Sequence, residues 1–282
     1  MKIITLDVCD STNTYLKNHY EQLKDKLPVL VTSGLQTGGR GRERRKWVSP
    51  KGKGIYSSFG FNLGARQNLS LLPLIAGISV IEALKRISAL DLGLKWPNDV
   101  LLLRPCENVQ KKQTFEMMSS RKESPGTMLG GLGCHPIWEK GNKKIAGILI
   151  ENVIMETRLF CITGIGINLN QTTKDFPEDL RDKAVSLKMA TGSEENYPVE
   201  TVNRVLSDVF FQWLGRMEGN EREVIIETAN GYSAFLMDGP ISFHHTGGIV
   251  NGIFKGIHQS GGLILGDESG GTSLHYSGEI LG

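Results

Sequence analysis

The residues with the most evident chemical use run Gln36-Thr37-Gly38-Gly39-Arg40-Gly41-Arg42-Glu43-Arg44-Arg45-Lys46-Trp47. Glycines let backbone come close to a ligand, and successive free amides can form a concavity for an anion. Arginine adds a planar, permanently charged donor suited to phosphate or carboxylate, and Trp47 adds a face on which a base can stack. Together they suit an anion attached to an aromatic ring, which describes a nucleotide. The spacing is not that of a Walker loop. The same composition also fits a solvated basic loop or a nucleic-acid tether, because residues 36–53 hold seven Lys/Arg against one Glu.

Further along, Lys95-Trp96-Pro97-Asn98-Asp99 gathers a lysine, an amide and a carboxylate around a turn after a strand, where ligand sites collect. Lysine suits phosphate, and Asp99 suits a Mg²⁺ ion that keeps most of its waters. A turn capped by its own Asn and Asp is the simpler reading of that pentapeptide taken alone. Lys144 opens an otherwise apolar strand, with Ala146 and Gly147 leaving room beside it. Gly164-Ile165-Gly166-Ile167-Asn168 closes another strand, and Ser11, Thr12 and Asn13 stand where side chains can cap a helix.

These groups need elements to hold them. Periodicity predicts strands at 3–6, 28–34, 55–61, 92–103 (broken by the Pro-Asn-Asp turn), 144–151 and 159–169. Helices are expected from about 11 to 26 and over 69–88, 177–189 and 199–228. Residues 104–143 carry no period and read as a surface insertion. Their Cys106, Cys134 and His135 lack the spacing of a full metal ligand set. From Gly231 onward 13 of 52 residues are glycine between short apolar runs, which suits a small all-β domain of SH3-like size. The expected division is 1–230 and 231–282.

Composition excludes several classes. With 39% hydrophobic residues the chain can bury a core, so global disorder is ruled out. A net charge of +2 gives no overall footprint for nucleic acid. Four scattered cysteines make no disulfide scaffold. The most apolar stretch, 69–84, is interrupted by Pro73 and Glu82, and the N-terminus meets Asp7 too early for a signal peptide. A cytoplasmic protein without a membrane partner is expected.

Taken in order, Ser-Thr-Asn at 11–13, the Gly-Arg-Gly-Arg loop, Lys-Trp-Pro-Asn-Asp, Lys-Ile-Ala-Gly-Ile-Leu-Ile-Glu at 144–151 and Gly-Ile-Gly-Ile-Asn resemble the biotin protein ligases. The resemblance runs from about residue 7 to 170 apart from the insertion. A weaker echo follows at 252–257 and 277–280. It implies an α+β fold: a mixed-sheet catalytic domain of the class II synthetase-like biotin/lipoate ligase type, followed by the small SH3-like β domain.

The implied reaction joins biotin to ATP as biotinyl-5′-AMP and then biotinylates one lysine of a carboxylase's biotin-carrier domain. In that scheme Ser11, Thr12, Asn13, Gln36, Gly39, Arg40, Arg42, Lys144 and Gly147 would surround biotin. Arg42, Arg45, Trp47, Lys95, Asn98, Lys144 and Asn168 would hold ATP. Trp47 would stack near the adenine and Asn168 would read its edge. Lys144 and Arg42 would be the catalytic pair, Asp99 would take Mg²⁺, and the loop at 36–46 would close over the ligand. Because the ligase motifs begin near residue 10, the resemblance implies a ligase without the DNA-binding domain of many bacterial members, and so without a nucleic-acid partner. The resemblance also allows a homodimer formed through sheet edges. Lipoate or octanoate transfer on a related fold is the nearest alternative, and a non-catalytic nucleic-acid-binding protein is a more distant one.

Overall fold

The computed structural model describes residues 1–64, 69–103, 142–155 and 158–281. The insertion expected at 104–143, with Cys106, Cys134 and His135, lies almost wholly outside the described residues. Seven strands form one sheet: β1 (Lys2–Leu6), β2 (Val29–Ser33), β3 (Gly54–Leu63), β4 (Leu92–Lys95), β5 (Asp99–Leu102), β6 (Lys143–Met155) and β7 (Arg158–Asn168). Their order is β1-β2-β3-β7-β6-β5-β4, with β1 and β2 parallel and every other pair antiparallel. The sheet is therefore mixed, as the resemblance implied.

Alternation along the long central strands decides what each face does. On β7, Cys161, Ile165 and Ile167 point into the main core, while Phe160 and Ile162 join a smaller cluster with Leu16, Leu23, Val29 and Val31. That second face continues as Gly164, Gly166 and Asn168, and so loses its side chains halfway along. Gly166 stands opposite Gly147 of β6 and Tyr56 of β3, and Gly164 stands opposite Ser58. The result is a bare strip of sheet at the end of a packed apolar layer. On the other face α3 (Leu72–Lys85) is buried almost throughout and packs with α5 (Val199–Glu218), so the strip rests on a rigid support.

Several expectations shift. The helix expected from 11 to 26 is α1 (Thr12–Asn18) followed by α2 (Tyr20–Leu23) and a short 3₁₀ turn. Ser11 is the N-cap residue of α1, yet its side chain makes no capping bond, which leaves its hydroxyl for another task. The stretch 177–189 is mostly turn, with helix only in a 3₁₀ turn at Glu178–Leu180 and in α4 (Leu187–Thr191). Its backbone pairs instead with β6, through Lys144 N to Lys183 O at 2.8 Å and Val185 N to Lys144 O at 3.0 Å. The helix expected over 199–228 divides into α5 and α6 (Arg222–Gly231) at Asn220, which has a φ of 64°. Among the described residues no helix is long and apolar enough to cross a membrane.

The C-terminal residues form a second, five-stranded antiparallel sheet from β8 (Pro240–His245), β9 (Gly248–Ile257), β10 (Leu263–Gly266), β11 (Thr272–His275) and β12 (Glu279–Leu281). It curls until the ring of His275 on β11 lies 4.8 Å from that of Phe243 on β8. Trp96 anchors it by donating from Nε1 to Gly261 O at 3.1 Å. Gly278 leads into β12 with a φ of 138°, and a Cβ there would fall 2.3 Å from Phe243 Cζ. Gly278→Ala is expected to cost on the order of 3 kcal/mol through strain and overpacking. A thermal melt would show it, and an unchanged melting temperature would mean that this turn is freer than drawn.

Candidate active site

The bare strip floors a cavity of about 1000 Å³. Every site residue that the resemblance implied lines it except Gly39. Gly39 serves the loop instead: its carbonyl accepts from Trp47 N at 2.9 Å, and a Cβ would lie 2.6 Å from Trp47 O. The loop itself is a small hairpin. Arg40 bridges Lys46, Gly41 N donates to Arg45 O at 2.7 Å, and Arg45 N donates to Arg42 O at 3.0 Å. Its tip residues, Glu43 (φ 55°) and Arg44 (φ 60°), both lie in the left-handed region, the pattern of a type I′ turn without the glycine that usually occupies it.

One end of the cavity is neutral and rich in hydrogen-bonding groups. Gln36 Oε1 accepts from Thr12 N at 2.9 Å, and Gln36 Nε2 donates to Ser49 Oγ at 3.2 Å. Thr12 Oγ1 lies 2.6 Å from Ser58 Oγ, and Asn13 Nδ2 donates to Glu151 Oε2 at 2.8 Å. Arg40, which also contacts Thr14 Oγ1, pairs with Glu151 at 3.2 Å.

The other end is crowded with charge. Arg42 donates to Asn98 Oδ1 at 3.0 Å and to Gly278 O at 3.1 Å. Asn98 in turn donates to Ile148 O at 3.1 Å, which ties the Pro97 turn to β6. Arg45 donates to Glu279 at 2.7 Å, and Lys95 Nζ lies 3.7 Å from the same carboxylate. Burial pushes the Lys95 ammonium below its ordinary range, against the pull of Asp99 and Glu279. Lys144 Nζ sits over the glycine floor, 2.6 Å from Asp99 Oδ1 and 5.4 Å from the Trp47 ring centre. The Lys144–Asp99 pair is held by charge, and Asp99 Oδ1 is buried beneath the ammonium.

Trp47 and Asn168, expected beside the adenine, both line the cavity. The Trp47 indole lies on the floor itself, where a Cβ on Gly166 would be 2.6 Å from its ring and one on Gly147 2.9 Å. Asn168 is buried, donating to Lys144 O at 3.4 Å and accepting from Gln171 at 3.2 Å.

Sequence reasoning missed Glu279 and Leu281, which bring the C-terminal sheet into the cavity wall, and also Tyr56, Phe176 and Asp182. The Ser-Gly-Glu-Ile echo at 277–280 was the available signal for the first pair. The hydrogen bond from Arg45 and the charge of Lys95 hold the Glu279 carboxyl below its usual range, outweighing its partial burial. A depressed carboxyl contributes stability that is complete above the unfolded glutamate value of about 4.3 and is lost as pH falls through the folded one. Acid should therefore loosen β12 from the site below about pH 4, and Glu279→Gln should remove this part of the acid sensitivity. Amide exchange at residues 279–281, compared in wild type and mutant, would reveal it.

The arrangement suits an elongated ligand with a neutral ring at one end and a polyanion at the other. Comparisons with known proteins give the chain its relatives. Residues 5–168 match the profile of the biotin/lipoate A/B protein ligase family. The bifunctional ligase/repressor BirA of Bacillus spizizenii is 31% identical over 200 residues, 68% of this chain and 48% of that protein. The chain thus spans about half the length of that relative. BirA of Salmonella typhimurium is 36% identical over 281 residues, 99% of this chain and 73% of the relative. Among solved structures, the Aquifex aeolicus biotin protein ligase in complex with biotin and ATP aligns with a TM-score of 0.70 at 26% identity, covering 99% of this chain and 97% of that one. With its profile match across both halves of the cavity, the chain belongs to the biotin/lipoate A/B protein ligase family.

Proposed function

We propose that the chain is a biotin protein ligase. It joins biotin to ATP and passes the biotinyl group to a lysine of a carboxylase's biotin-carrier domain. The observation that carries this reading is the two-ended cavity, neutral around Thr12 and Gln36 and cationic around Arg42, Arg45 and Lys95, with Lys144 where the ends meet. The Aquifex enzyme, solved with biotin and ATP, supports it.

In the first step a carboxylate oxygen of biotin attacks the α-phosphorus, the bond to the β-phosphate oxygen breaks, and pyrophosphate leaves. Two anions must meet, and Lys144 places a fixed cation between them, stabilising charge that grows in the transition state. Arg42, Arg45 and Lys95 balance the departing phosphates. Asp99, a hard oxygen donor lining the phosphate end, would suit a Mg²⁺ held mainly by substrate phosphates, and no three His, Cys, Asp or Glu side chains converge among the described residues to make a fuller cage. That ion would neutralise phosphate charge. In the second step the acceptor amine attacks the acyl carbon and AMP leaves. No covalent bond to the enzyme is required.

The mixed anhydride must be kept from water meanwhile. The hairpin carrying Arg40, Arg42 and Arg45 lines the cavity and is suited to that task. Arg42→Gly, which removes the contacts to Asn98 and Gly278, is expected to release adenylate and raise biotinylation of bystander proteins about tenfold or more. Bystander labelling at the wild-type level would contradict that role. We assign catalysis to residues 1–230 and closure of the phosphate end to 231–282, and place the enzyme with its acceptor in the cytoplasm. Mass spectrometry of a biotin-carrier domain incubated with the protein, Mg-ATP and either biotin or lipoate tests the reading. A biotinyl mass on one lysine supports it; a lipoyl mass alone selects the sister activity, and no mass change overturns it.

A further inference from the structure

The neutral end of the cavity contains a relay whose hydrogen-bond directions can be worked out from one anchor. Asn13 is 3% exposed, and its Nδ2 donates to Glu151 Oε2 at 2.8 Å and to Leu149 O at 3.3 Å. Turning that amide over would set its oxygen against a carboxylate and a carbonyl, so its orientation is fixed. Oδ1 therefore faces Ser58 and accepts from its hydroxyl at 2.5 Å. Ser58 is wholly buried and has one proton, which is now committed.

Thr12 Oγ1 lies 2.6 Å from Ser58 Oγ, and Thr12 must supply the proton of that bond. Its other contact, to Gln36 Oε1 at 3.2 Å, can share that proton only weakly, while Gln36 Oε1 already accepts from Thr12 N. Towards a ligand in the cavity Thr12 Oγ1 can then only accept. Glu151 is the one anion of the relay, and Arg40 pairs with it from the hairpin.

We propose that Glu151 is a positioning residue that sets the proton polarity of this wall, so that the site selects a ring bearing an N–H donor. A cyclic urea supplies such a donor. The dithiolane of lipoate, which has no N–H, meets an oxygen with no proton to offer. The proposal rests on the biotin reading above and deepens it.

Glu151→Leu provides the test, because leucine keeps much of the bulk and accepts no proton from Asn13. Leu149 O alone then holds Asn13 Nδ2, the amide samples both orientations, and in the flipped one Ser58 receives a proton and gives its own to Thr12, which opposes the ligand N–H. Calorimetric titration with biotin and with its cyclic carbonate analogue, in which oxygens replace both N–H groups, reads this directly. Wild type should prefer biotin strongly. In Glu151→Leu biotin should bind more weakly by roughly tenfold or more, with its preference over the carbonate reduced by a similar factor. ATP affinity should stay near wild type, showing that the fold survives. In turnover, the KM for biotin should rise while kcat for adenylate formation is largely kept.

Glu151→Gln, whose amide oxygen can still accept from Asn13 and Arg40, should keep the preference. If Glu151→Leu weakens both ligands equally or keeps the wild-type preference, or if Glu151→Gln loses it, the proposal is wrong. A wild-type protein that does not bind biotin removes the functional reading first and this proposal with it.

Discussion

Lys144→Ala is expected to abolish adenylate formation while leaving the fold intact. The side chain leaves the first turn-proximal residues of β6 for the cavity, with about a third of its surface exposed, and contributes nothing to the core. Its backbone bonds to Lys183 and Val185 do not depend on the side chain. Removing a preorganised charge from a reacting centre costs on the order of 10²–10³ in rate. Here the upper end applies, because the same cation also lowers the repulsion between two incoming anions and neutralises Asp99 beneath it. Arginine should rescue poorly, since its planar fork is bulkier than the ammonium that sits against Trp47 and Gly147. Pyrophosphate release is the direct measurement. A second measurement separates the steps: with synthetic biotinyl-5′-AMP supplied, Lys144→Ala should still biotinylate a carrier domain, because no anion must then approach another. Normal pyrophosphate release would remove this lysine from the mechanism.

Gly166→Val should have an effect of similar size by a purely steric route. Gly166 faces the cavity from near the end of β7, opposite Gly147 and Tyr56. A Cβ there already meets three Trp47 ring atoms at 2.6–2.8 Å, and valine adds two methyl groups. The indole must be pushed up into the ligand space or the strand must shift, and α3 and α5 pack too tightly below the sheet to let it shift. Binding of both biotin and ATP should weaken by about a hundredfold or more, with a loss of stability of about 1–3 kcal/mol. Titration calorimetry for both ligands, beside a melting curve, distinguishes a filled site from a collapsed fold. Near-normal affinity would mean that the strip is not the ligand floor.

Much of the site was legible because it is local. Lys95, Asn98 and Asp99 share one turn between β4 and β5 that proline and asparagine announce, and the glycines at 147, 164 and 166 mark the very positions where side chains are absent. The hairpin at 39–47 is built by glycines visible in the sequence, though its pairing was not. What stayed hidden is what depends on distant partners. Glu279 reaches Arg45 across more than two hundred residues of chain, and nothing in its immediate sequence indicates a cation. Ser58 is one hydroxyl in a buried strand, and only the arrangement of Asn13 and Thr12 above it gives it a role. The 177–189 segment has helical composition, but its backbone is claimed by β6, and a tertiary hydrogen bond outweighs a weak local preference. Ser11 to Asn13 read as capping residues, yet the pocket uses their side chains instead.

The turn at Glu43 and Arg44 has a thermodynamic consequence. Two non-glycine residues held at positive φ cost on the order of 1 kcal/mol apiece, so the folded-down hairpin is some thirtyfold less populated than an Asn-Gly pair would make it. In this structure Arg40 with Glu151, and Arg42 with Asn98 and Gly278, offset that deficit from either side of Gly41. On the proposed function, a bound ligand that took over these arginines would decide whether the hairpin stays down.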